Sequence, residues 1–75
     1  MNLERTILKI LNGRSGLMPV ATLWSETQLD EPQANYTAFK AAVNELQVKN
    51  QMVVIKGEDR EKAGITDDGR ARLAQ

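Results

Sequence analysis

The sequence predicts an α+β domain in which a three-helix core precedes a β-hairpin and a short C-terminal helix. Three observations carry this expectation. Apolar residues recur at helical spacing up to Val48, the period then changes at the β-branched run Met52-Val53-Val54-Ile55-Lys56, and Thr66-Asp67-Asp68-Gly69 reads as the capped start of a last helix.

The first helix is expected over Asn2 to Asn12. Leu3, Ile7, Ile10 and Leu11 form one stripe with Arg5 and Lys9 opposite; Asn2 can cap the start, and Gly13 can end it in the left-handed conformation. Leu17-Met18 suffices for a fragment of strand after the loop Arg14-Ser15-Gly16. Pro19 fits the first turn of a short second helix that carries Val20, Leu23 and Trp24 and ends near Thr27. Asp30-Glu31-Pro32-Gln33 combines a capping carboxylate, an early Pro and a Gln three residues on, which predicts a third helix from there to Val48. Tyr36, Phe39, Val43 and Leu46 are spaced for its core side. Gly57 to Glu61 is a polar turn, and Lys62 to Ile65 returns as the second strand of the hairpin.

Composition narrows the function. The 75 residues include no Cys and no His, which removes thiol nucleophiles, imidazole bases, disulfides and Cys/His zinc sites, so neither an enzyme nor a metal or other cofactor is expected. No signal peptide and no long apolar run is present, and the expected setting is cytoplasmic, without a membrane partner. The initiating Met and compact ends favour a whole protein of one domain, residues 1–75. Gly13-Arg14-Ser15-Gly16 lacks the strand and the Lys-Ser/Thr ending of a phosphate loop, and the sequon Asn35-Tyr36-Thr37 falls in a predicted helix. Trp24 is expected to pack against the first or third helix.

Two stretches match a known superfamily. Ala42-Val43-Asn44-Glu45-Leu46-Gln47-Val48-Lys49-Asn50-Gln51-Met52-Val53 is similar to a recognition helix running into the first strand of a wing, with Asn50 where Gly is common. Ile65-Thr66-Asp67-Asp68-Gly69-Arg70-Ala71-Arg72-Leu73-Ala74 looks like the closing segment of many bacterial winged-helix regulators. With the order of elements, the whole chain resembles a winged helix-turn-helix domain.

That resemblance implies a small bacterial or phage-type transcriptional regulator that binds double-stranded DNA, with the third helix in the major groove and the wing on the backbone. The outward face of the predicted third helix carries Gln33, Thr37, Lys40, Ala41 and Asn44, side chains able to pair with base edges, reach phosphate or leave room for close approach. Arg60 and Lys62 are the wing's candidates for the backbone. Charge is divided on this point: ten Lys and Arg balance ten Asp and Glu, and residues 15–39 hold no Lys or Arg. Since phosphate neutralisation supplies most non-specific affinity, a monomer is expected to bind weakly, with a homodimer or a protein partner able to supply more charge. The alternative is a winged-helix module for protein interaction or dimerisation without autonomous DNA binding, for which an apolar patch near helix one, including Leu8, or near the wing is expected.

Overall fold

The computed structural model describes residues 2–75, which form four helices and a three-stranded antiparallel sheet: α1 Leu3–Asn12, β1 Met18–Pro19, α2 Val20–Asp30, α3 Tyr36–Val48, β2 Met52–Lys56, β3 Glu61–Ile65 and α4 Asp67–Leu73. The α+β order is as the sequence predicts. Strand order is β1-β3-β2, so the last strand of the hairpin is central and joins the hairpin to the segment preceding α2. Its register sets Met52 against Ile65 and Lys56 against Glu61 on one side, and Met18 against Ala63 and Pro19 against Lys62 on the other.

The core lies between the helices and the inner face of the sheet. Ile7, Leu8 and Leu11 of α1, Leu23 of α2, and Phe39, Ala42, Val43 and Leu46 of α3 are buried with Met18, Met52 and Ala63. Leu8 is therefore a core residue, fully enclosed, and cannot belong to an exposed patch. The stripe on α1 centres on Ile7, Leu8 and Leu11, leaving Leu3 and Ile10 at its margins, because both the second helix and the sheet pack against α1.

Capping decides the ends of the helices. The side chain of Asn2 accepts from the Arg5 N–H at 3.0 Å, and that of Thr66 from the Gly69 N–H at 3.1 Å, as expected of both. Gly13 closes α1 in right-handed geometry (φ −77°), and the positive φ falls instead on Gly16 (85°). Pro19 precedes α2 as its N-cap residue and belongs to β1. At the end of α3 the Gln51 N–H bonds the Leu46 carbonyl and the Asn50 N–H bonds that of Gln47, a Schellman arrangement with Asn50 at φ 60°.

The junction between α2 and α3 differs from expectation. α2 continues through Thr27, whose buried hydroxyl donates to the Leu23 carbonyl at 2.7 Å, and ends at Asp30. Asp30 is thus the last residue of α2, and α3 begins at Tyr36 with Asn35 as its cap, accepting from the Ala38 N–H at 2.7 Å. The cause is Pro32: its ring disfavours helical geometry at Glu31, which is non-helical (φ −130°, ψ 76°), and a turn closed by the Ala34 N–H on the Glu31 carbonyl follows.

Candidate nucleic-acid interface

α3 is an amphipathic helix whose inward side is fixed by Phe39, Ala42, Val43 and Leu46. At about 100° per residue the diametrically opposite side is the ridge Thr37, Ala41, Asn44 and Val48, with Lys40 flanking it, and all five are exposed. Four of the residues predicted for this face, Thr37, Lys40, Ala41 and Asn44, are therefore contiguous on it. Gln33 is not: it lies in the turn before the Asn35 cap, exposed but off the helix, because α3 starts at Tyr36. Tyr36, expected in the core, is 53% exposed: at the first turn of α3 it packs on Trp24 and Phe39 at one end of the core.

The hairpin supplies Arg60 in its turn and Lys62 in its central strand, both exposed. The turn is tightened by the Gly57 N–H donating to the Arg60 carbonyl at 2.9 Å. β3 begins at Glu61, so the turn is one residue shorter than predicted. Lys62 sits opposite Ile55 and Pro19 on the outer face of the sheet. Lys56, at the end of β2, is a further exposed cation that the sequence reading did not single out, although its place at a strand end beside a polar turn is visible in the sequence.

Ion pairing divides the cations into two groups. Arg14 pairs with Glu26, Lys49 with Glu4 at 3.0 Å, Arg70 with Asp67 at 3.1 Å and Arg72 with Glu4 at 2.7 Å. Arg5 donates to the carbonyls of Arg72 and Leu73, at the end of α4. By contrast, Lys40 within α3, Lys56, Arg60 and Lys62 on the hairpin, and Lys9 on the exposed side of α1 make no ion pair among the described residues. Cations not neutralised by the protein are the ones available to phosphate. Acids accompany them, for Glu58, Asp59 and Glu61 share the hairpin.

Around Lys62 the outer face of the sheet is apolar. Leu17 (47% exposed), Val53 (39%) and Ile55 (50%) stand there, and Leu17 closes over Gly64, where a side chain would meet it at 2.8 Å. The signal was present in the sequence, since Met52 to Ile55 is apolar at every position and a strand with a wet face alternates. Among the described residues no three Asp or Glu side chains stand close enough to hold a metal ion, and no helix is long and apolar enough to cross a membrane. Comparison with family models, with curated proteins and with solved structures finds no match.

Proposed function

We propose that this chain is a winged helix-turn-helix domain that binds double-stranded DNA sequence-specifically as a small regulator, with α3 in the major groove and the β2–β3 hairpin against the backbone. The observation that carries the reading is the distribution of unpaired cations. Among the described residues five cations have neither an ion pair nor a backbone acceptor for the side chain, and four of them, Lys40, Lys56, Arg60 and Lys62, stand on α3 and the hairpin, the fifth being Lys9 on α1; Arg14, Lys49, Arg70 and Arg72 are held by acids. The order of helices and strands, with a five-residue link from α2 to α3, is compatible with that family. On this reading Thr37, Ala41 and Asn44 meet base edges, Lys40 meets guanine or phosphate, and Arg60 and Lys62 meet phosphate. Gln33 is left to contact the backbone beside the helix start.

The test is fluorescence anisotropy of a labelled pool of duplexes at low and then rising salt. Saturable binding with a log-log salt slope near −3 to −4, about 0.9 per phosphate engaged, is expected for four cations. Absence of binding at about 0.1 mM protein, beyond the usual range of non-specific affinity, sinks the reading.

The apolar outer sheet face favours a second reading, a dimerisation module without autonomous DNA binding. A second copy related by a two-fold axis would cover Leu17, Val53 and Ile55 with the same residues. Sedimentation equilibrium decides it: a dimer dispersed by Ile55→Glu, together with no DNA binding, is its signature.

A further inference from the structure

Between the start of α2, the start of α3 and the hairpin turn lies an open groove of about 590 Å³, away from the outward ridge of α3. Its apolar wall is a corner of two aromatic rings. Trp24 and Tyr36 meet edge to face, with centroids 5.6 Å apart and planes at 68°, and Trp24 is backed by the buried Phe39 at 5.0 Å. Its polar wall is the hairpin, which contributes Asp59 and Arg60 from the turn and Glu61 from the first position of β3. Neither carboxylate makes an ion pair among the described residues.

The indole of Trp24 and the half-exposed phenol of Tyr36 both line this volume, and two carboxylates without an ion pair against one guanidinium leave it net negative. A neutral apolar ligand gains nothing from the acids, and an anion is repelled by them. An alkylammonium group satisfies both walls. We propose that this groove binds an organic cation through an ammonium or quaternary ammonium head held between Trp24, Tyr36, Asp59 and Glu61. This is independent of DNA binding, and it gives a role to hairpin acids that phosphate recognition leaves unexplained.

The source of the head group is either a small quaternary ammonium compound or a lysine side chain of a protein partner, and titration separates them. Trp24 is the only Trp in the chain, so its emission reports the groove directly. The protein is titrated with choline, with its neutral isostere 3,3-dimethyl-1-butanol, and with N-acetyl-lysine amide. Choline is expected to change the emission saturably in the millimolar range, the isostere at least about tenfold more weakly, and Asp59→Asn with Glu61→Gln to weaken choline about tenfold. A response to the lysine amide matching that of choline assigns a protein side chain; a response to choline alone assigns a free ligand. The two substitutions lie on the exposed turn and its flank, and an unchanged far-UV spectrum verifies their fold. No saturable response to choline up to about 0.1 M, or an isostere that binds as well as choline, overturns the proposal.

Discussion

Glu4 and Arg72 meet in a 2.7 Å ion pair although 68 positions separate them in the chain, and the same carboxylate oxygen also receives Lys49 at 3.0 Å. One acid thereby ties the first helix to the last and to the end of α3. The hydrogen bond from Arg72, and then Lys49, hold the Glu4 carboxyl below the ordinary glutamate value against an opposing contribution from burial.

A depressed folded-state pKa stabilises the fold fully above the unfolded value, and the contribution is lost as pH falls through the folded value. Glu4→Gln is expected to cost about 1 kcal/mol at neutral pH, the upper range for a partly exposed pair. Urea titrations at pH 7 and pH 3 check it: the gap between parent and variant should narrow at the lower pH and in high salt.

Gly69 and Gly64 should respond differently to the same methyl group. Alanine within a helix ordinarily gains about 1 kcal/mol over glycine. A Cβ at Gly69, however, collides with the Gln51 carbonyl oxygen, which is backbone, and with the Ile65 side chain. Gly69→Ala is therefore expected to destabilise by about 2 kcal/mol or more. At Gly64 the obstacle is the end of the exposed Leu17 side chain, which can swing aside, so Gly64→Ala should cost under about 1 kcal/mol. Thermal melts of the two variants give the order.

Asn50 holds the left-handed position that ends α3, and its carbonyl receives the Thr66 hydroxyl at 2.6 Å. Asn50→Gly keeps the backbone accessible and should change stability by no more than about 0.5 kcal/mol, whereas Asn50→Ala should lose about 1 kcal/mol. Both variants lose the hydrogen bond that Asn50 Nδ2 donates to Asp68 at 3.2 Å, so the difference between their denaturant midpoints measures the conformational cost.

On DNA, Lys40→Ala should weaken binding by about 1–3 kcal/mol at a selected site if the ammonium meets a guanine, and about equally on all duplexes if it meets phosphate. Lys9→Ala, on the exposed side of α1, is the control and should leave affinity unchanged. Equal losses for both, in anisotropy titrations at one salt concentration, would remove α3 from the interface.

Local chemistry made most elements legible in the sequence. Asn2, Thr66 and Asn50 act through their own side chains or backbone preference, and the β-branched run has no helical alternative of comparable quality. The junction of α2 and α3 is harder to read, because Asp30 and Asn35 are both good caps five residues apart, and Pro32, which fits a first turn, also bars helical geometry at Glu31. Starting at Asn35 puts Tyr36 and Phe39 against Trp24, an association of three rings that no spacing rule contains. Thr37, Lys40, Ala41 and Asn44 still share one exposed face because Phe39, Val43 and Leu46 point inward as their spacing predicts, although Tyr36 does not, and Gln33 leaves that face because it precedes the Asn35 cap. The pairing state of each cation was invisible for a different reason, since the partners of Arg72 and Lys49 come from the far end of the chain.

The two residues of β1 have a mechanical consequence. A hairpin attached only at its own ends swings as a hinge, but Met18 and Pro19 pair with Ala63 and Lys62, and Pro19 leads directly into α2. The hairpin is thus clamped to the helix pair and inherits its stiffness. Any surface that receives both α3 and the hairpin is measured against a fixed span, with compliance confined to the few residues of the turn.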